Sequence, residues 1–564
     1  MTCQGRMGRA AGLAGAFGGI VFALLLTNGT SRSANAVAVQ KDEPKFTLVG
    51  AGACQGCHNQ PVKPDNPAYN PTYKQTQSFN FVRLEENNVW DEHDLHKQAL
   101  WNLVTDASVK DYPGTKANPI ANRMEANLGR EKKGYKTSTD ARCLACHTSS
   151  KHPITKKSLE LPIEETFEFN EGVGCEMCHG HASKYRVEHA LDVGVKGKPA
   201  PGEPTRDVPW RTKEPGKKFD DFGLVNLRDP AVAAAKCASC HVGNKEEGRF
   251  VTHEMYAAGH PPLPPLDLMA YSREQPRHWG APSQMPYLVA FAKKDAKKAY
   301  DLFHYKGAVE SEVARRLVES TIGTVKATAA LMDQLAKVPG AKDDGLDFAA
   351  FDCYSCHHDL KFPSDRQARG YEGPPGRPQF RTAHFDLASV LVGDDTLAKQ
   401  LDEARRALAF SFGNRTYGNP DGISAAMVKV NDWCKVAEAK VAAAEFKPMA
   451  VAAMLGRIHE AAARETRPVG DPELAQLYLW AATTLSLEYA DAKDGMLPAE
   501  IKAMRDKLAK SVVIHLREDR KFDFEVKAGV KLDKPQQNVS ERIEGRMKIF
   551  NAFDGKLFRD AFKK

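Results

Sequence analysis

Cys143-Leu144-Ala145-Cys146-His147, Cys175-Glu176-Met177-Cys178-His179 and Cys237-Ala238-Ser239-Cys240-His241 repeat one five-residue pattern within the stretch from Cys143 to His260. Two further copies flank it, Cys54-Gln55-Gly56-Cys57-His58 and Cys353-Tyr354-Ser355-Cys356-His357. With 12 Cys and 18 His in 564 residues, random placement gives about 0.01 such motifs. The pattern C-x-x-C-H is the signature of c-type haem attachment. Its two thiols add across the haem vinyl groups as thioethers, and the adjacent imidazole ligates the iron. A thioredoxin-like redox pair or a Cys/His zinc site also uses C-x-x-C, but neither requires a His after the second Cys five times over. The expected cofactors are therefore five covalently bound haem c groups with iron. The proximal ligands are His58, His147, His179, His241 and His357. The expected fold is mainly α, a multihaem cytochrome c core with long loops followed by a C-terminal helical bundle.

Composition agrees with an exported redox protein. The chain is too long for one ordinary core, and 42% hydrophobic with 27% charged residues describes a soluble globular protein. Ten cysteines sit in the motifs, leaving only Cys3 and Cys434, so a disulfide framework is not expected. The formal net charge is +7. It falls by three with the loss of Arg6, Arg9 and Arg32 in a cleaved leader, and further with ionised haem propionates, so nucleic acid is not an expected partner.

Along the chain, residues 1–36 run from Arg6 and Arg9 through an apolar stretch, Leu13 to Leu26, to Ser33-Ala34-Asn35-Ala36. That order reads as a secretory signal peptide cleaved after Ala36 or Ala38. An uncleaved N-terminal anchor competes with it, although the apolar run is short for a membrane span. Either way the body is exported, with a periplasmic location expected. Residues 37–285 form the tetrahaem core, 286–345 a helical segment, 346–390 the fifth-haem segment and 391–564 a C-terminal helical domain. From Tyr287 to Lys337 apolar residues recur at helical spacing. In the tail, Asp471-Pro472-Glu473-Leu474 marks a helix start with an Asp cap and Pro at the first position. Cys434 shares an apolar helix face with Met427, Val430 and Ala437 and reads as a core thiol.

Beyond the five proximal residues, the remaining histidines outnumber the distal positions, so counting cannot assign them. His93 and His96 lie in a segment, Trp90 to Trp101, that reads as helical and places them on one face; His96 is the favoured ligand. His152 is the sole further histidine between the second and third motifs. His189 follows His179 by ten residues, about 15 Å along a continuous helix, so it is expected to cap a neighbouring haem. His253 and His260 are seven apart, on one face if the helix persists to Gly259. His304 reads as a surface or core histidine, and His384 follows the fifth motif after a Gly/Pro-rich turn.

The order of a first motif, Trp90-x-x-x-x-x-His96, Cys143-Leu-Ala-Cys-His147, Gly172-Val-Gly-Cys-Glu-Met-Cys-His-Gly180 with a His ten residues beyond its motif histidine, and a fourth motif resembles the cytochrome c-554 family over about residues 50–245. Those are tetrahaem carriers that accept electrons from hydroxylamine oxidoreductase. The resemblance implies His96 as distal ligand opposite His179, His189 opposite His241 and His152 opposite His58, with the haem on His147 five-coordinate. The fifth motif, the His253/His260 pair and the helical tail depart from the family pattern. The added pair could fill the position opposite His147 or serve the fifth haem.

Two functions fit. One is one-electron transfer through mostly bis-His haems, with redox partner proteins such as other cytochromes or a membrane quinol-linked donor, and with peripheral or N-terminal membrane association. The other is an oxidoreductase acting on a small nitrogen or sulfur oxide at a five-coordinate haem, with His253, Tyr256 and Arg142 as candidate proton donors. Oligomeric state is not encoded in these features.

Overall fold

The computed structural model describes residues 46–59, 84–104, 118–130, 134–149, 171–194, 210, 213–307, 310–338, 340–341, 345–356, 362, 376–413, 415, 417–463, 471–487 and 559. The leader, His152, His357 and most residues beyond 487 lie outside them. The fold is mainly α. The described residues form helices, short 3-10 turns and two isolated bridges, Asn244 with Arg249 and Phe351 with Phe380. They belong to one compact unit, Val39–Lys564, and no described helix is long and apolar enough to cross a membrane.

The scaffold is built on the helix Glu312–Ala336. Ser311 caps its start by accepting from the Ala314 N–H, and Leu317, Val318, Ile322, Val325, Ala329 and Met332 bury its apolar stripe. One side packs on Pro420–Ala443 of the C-terminal region, and another on Pro230–His241, the helix that carries the fourth motif. The same apolar core continues through Ala383–Val392, Asp395–Phe410, Pro448–Ala463 and Pro472–Leu487. Asp471 caps the last of these through the Glu473 and Leu474 N–H groups. Cys434 is fully buried, and burial pushes its thiol up to about 12.

Gly323 sets how closely scaffold and motif helix approach. A Cβ there would stand 2.4 Å from the Ala231 carbonyl oxygen and 2.6 Å from its Cα. Alanine gains up to about 1 kcal/mol in helix propensity over glycine, but overpacking against backbone costs about 1–3 kcal/mol. Gly323→Ala is therefore expected to lower the thermal midpoint; a rise would show that the two helices separate freely.

A second tie between scaffold and motif helix is ionic. His304 ends the helix Ala296–Phe303 in a left-handed conformation. Its Nε2 stands 3.1 Å from Asp229, the residue that caps Pro230–His241, and its Nδ1 3.6 Å from Glu319. Burial alone would lower its pKa, but the Asp229 and Glu319 carboxylates raise it to about 9. A folded-state pKa above the unfolded value contributes stability fully below about pH 6.5, lost as pH rises through about 9, and worth at most about 3 kcal/mol. His304→Gln is expected to lower the denaturation midpoint at pH 6 and to match the parent above pH 9. A penalty independent of pH would remove the charge from the explanation.

Two helices near the motifs end before the second of the two histidines they were expected, or conditionally expected, to carry on one face. The helix Glu86–His93 stops before His96, because Asp94 turns extended and its carboxylate takes the His96 N–H and Nδ1, each at 2.9 Å. His93 and His96 therefore do not share a helix face. Likewise His253–Ala258 ends at Gly259, φ 121°, so His253 and His260 diverge.

Candidate metal centres

In a helix, Cys at i and i+3 and His at i+4 fall on one face. The second, third and fourth motifs use this directly, ending the helices Ala141–His147, Cys175–His179 and Pro230–His241. Asp140 and Asp229 cap the first and last of these through their side chains. The first motif begins in Ala51–Gln55, and the fifth places Cys353–Ser355 in a 3-10 turn. Glu176, inside the third motif, ties it to the first: its carboxylate accepts from the N–H groups of Val49 at 2.9 Å, Gly50 at 2.7 Å and Ala182 at 2.6 Å.

Three motif histidines face a second imidazole at the same separation. Ring centroids are 6.3 Å apart for His58 and His189, for His241 and His96, and for His179 and His278. With metal–imidazole bonds of about 2.0–2.1 Å and about 1.1 Å from nitrogen to ring centre, two rings on opposite sides of one ion stand about 6.3 Å apart. The separation thus matches what two imidazoles holding one haem iron would have. His147 and His260 lie within electrostatic range of each other. The two imidazoles sense each other's charge, and burial pushes His260 down to about 4, with His147 a further cause.

Tautomers agree with that geometry. A carbonyl oxygen can only accept, so a ring whose Nδ1 meets one carries its proton there and keeps the Nε2 lone pair for a metal. Nδ1 meets Ala99 O in His147 (2.8 Å), Tyr185 O in His189 (2.6 Å) and Pro261 O in His260 (2.7 Å). In His58 and His96 the partner is a carboxylate, Glu86 at 2.8 Å and Asp94 at 2.9 Å. His384 is turned the other way: its Nε2 donates to Leu266 O at 2.9 Å, and the ring is buried in the scaffold core.

The pairings implied by resemblance are thus redistributed. His96 stands opposite His241 rather than His179, because the break at Asp94 and the Val173 N–H bond to His96 O carry it there. His189 stands opposite His58 rather than His241. Gly180, φ 86°, ends the motif helix, and a separate helix, Tyr185–Gly194, carries His189 back toward the first motif. His152 lies outside the described residues. The place opposite His179 is taken by His278, which sequence reasoning did not single out. It sits in Gln275-Pro276-Arg277-His278-Trp279, just past the helix Leu268–Glu274, with Trp279 edge-on at 5.0 Å. A histidine beside tryptophan in a proline-flanked turn was the only local signal.

Of the remaining candidates, His253 donates its backbone N–H to Asp347, and its ring meets Phe348 edge-on at 5.5 Å, five residues before Cys353. Tyr256 lies within electrostatic range of Arg381 and Cys353. Arg142 is bound by Asp140 and Glu254 at an exposed position. These three do not converge on one motif histidine.

The motif sulfurs lie in two close couples. Cys54 is within hydrogen-bonding reach of Cys175, and Cys146 of Cys240. Cys178 faces Cys237 and Cys240 across the third and fourth motifs. The motifs thus adjoin in the order first, third, fourth, second. Tyr256 and His260, with ring centroids 5.8 Å apart, lie within electrostatic range of Cys353 and His147 respectively, which links the fifth motif to the second.

Comparison with known proteins reaches the first three motifs. Residues 53–180, which span the first three motifs, match the family described as cytochrome c554 and c-prime. A C-type polyheme cytochrome, OmcC, of Geobacter sulfurreducens is 27% identical over 119 residues, 21% of this chain and 12% of that protein. The matched segment therefore represents a small part of that relative. No solved structure matches the chain at a significant level. Over the matched residues the chain is similar to multihaem c-type cytochromes.

Proposed function

We propose that this protein is an exported pentahaem cytochrome that moves electrons one at a time between redox partner proteins. The observation that carries the reading is the recurring 6.3 Å separation of opposed imidazoles. Bound haem supplies reversible one-electron chemistry at iron, and ligation by two histidines rather than His and Met favours low potentials. The chain's part is to fix axial ligands and order the centres. His189, His260, His278 and His96 cap the first to fourth motifs opposite His58, His147, His179 and His241, and His253 serves the fifth, whose proximal ligand is His357. The adjoining sulfurs order a route through motifs one, three, four, two and five. Export to the periplasm follows the leader-like N-terminus and the habit of the family. Other cytochromes or a quinol-linked membrane donor are the partners that fit.

Assigning His260 to the His147 haem would fill the position left open in the resembled family, and on that assignment the reading is transfer rather than catalysis on a nitrogen or sulfur oxide; His260 lying within electrostatic range of His147 supports it. A spectroelectrochemical titration tests the reading. Mostly negative midpoint potentials support it, and five haems all reduced well above zero would contradict bis-His ligation.

Carboxylate support at Nδ1 makes an imidazole a stronger donor and so stabilises the ferric state. Glu86→Gln is expected to raise the first haem's reduced-to-oxidised ratio at fixed potential roughly tenfold, about 59 mV. An unchanged titration curve would show that Glu86 only orients His58.

A further inference from the structure

Arg249 occupies a position that no haem motif explains. It is 6% exposed, in a tight turn closed by the Asn244–Arg249 bridge just beyond the fourth motif. Its Nε donates to Ala145 O at 2.9 Å, one terminal nitrogen to Ser239 Oγ at 3.0 Å, and the other reaches Met177 Sδ at 3.1 Å. Ala145, Met177 and Ser239 are the residues immediately before the second cysteine of the second, third and fourth motifs. One guanidinium therefore touches the same register position of three motifs at once. The charges facing it are Glu247, its ion-pair partner, and Lys236. The sulfurs Cys146, Cys178 and Cys240 lie within its field.

We propose that Arg249 is a redox-positioning residue, a shared buried cation that holds electrons preferentially on the haems of the second, third and fourth motifs. The proposal rests on the haem-binding reading above. Taking up one electron from a partner protein converts Fe(III) to Fe(II) and lowers the local charge by one, with no bond made or broken. A fixed positive charge among three such centres favours the reduced state of each, and burial leaves the interaction weakly screened. The first motif, outside these contacts, lacks this bias, so the middle of the relay becomes the resting place for electrons.

The test is spectroelectrochemical titration of the holoprotein and of Arg249→Met, Arg249→Lys and Glu247→Gln, with haem content and spin state measured for each. Arg249→Met is expected to lower the reduced-to-oxidised ratio at fixed potential about tenfold at two or more haems, equivalent to about 59 mV for one electron. Arg249→Lys should retain most of the parent ratio. Glu247→Gln, which leaves all three motif contacts in place, should shift it in the opposite direction. Fully loaded, low-spin variants with unchanged curves would overturn the proposal and leave Arg249 a packing clamp, as would a lysine variant that falls as far as methionine. Should Arg249→Met fail to load haem, Glu247→Gln decides alone, and no shift there overturns the proposal. Missing haems or high-spin iron in the parent would instead defeat the haem-ligation reading, before any variant is compared.

Discussion

His260→Ala is expected to convert one iron per chain from low to high spin while leaving all haems attached. His260 follows the helix His253–Ala258 and is turned by Gly259, with its Nδ1 on Pro261 O, so Nε2 is the nitrogen left for the iron that the proposed pairing assigns to His147. On the proposed pairing, removing it leaves the second motif's haem without one of its two imidazoles. The ferric variant should bind cyanide or added imidazole at one equivalent, and the ferrous variant carbon monoxide, where the parent binds none at that site. Imidazole should restore the low-spin spectrum, because it replaces the missing donor without altering the fold. This variant is also where nitrite or hydroxylamine turnover would first be sought. A low-spin His260→Ala protein would mean that another group caps the second haem.

His278→Ala is the second large effect, and it separates structural placement from family resemblance. His278 faces His179 at 6.3 Å, whereas His96, implied opposite His179, faces His241 at the same distance. Each alanine variant should therefore yield one equivalent of high-spin iron, but at different haems. The third and fourth motifs adjoin different neighbours, so the two should differ in which interhaem spin coupling is lost. Loss of the same haem's low-spin signal in both variants would restore the implied pairing. The double variant should show two equivalents, since the sites do not share a ligand.

What was legible in the sequence was what five or six adjacent residues determine. The Cys-x-x-Cys-His pattern carries its chemistry within one helical turn, and Asp471-Pro472 starts a helix by satisfying N–H groups two and three residues on. Cys434 declared its burial through an apolar stripe. The axial pairing was not legible, because it depends on where chain direction changes. Asp94, taking the His96 N–H, and the left-handed glycines Gly180 and Gly259 each redirect a histidine that helical periodicity would have sent elsewhere. His278 lies nearly a hundred residues after the motif it faces, in a turn with no repeat to mark it. Arg249 was invisible for the same reason: its three contacts come from segments that only the fold brings together.

The most direct measurement is the haem count and spin state of the purified ferric holoprotein, by intact mass together with low-temperature EPR and resonance Raman. The proposed ligation of every motif haem by two imidazoles requires five covalent haems and only low-spin iron. A full equivalent of high-spin iron per chain, or fewer than five haems, would contradict that arrangement.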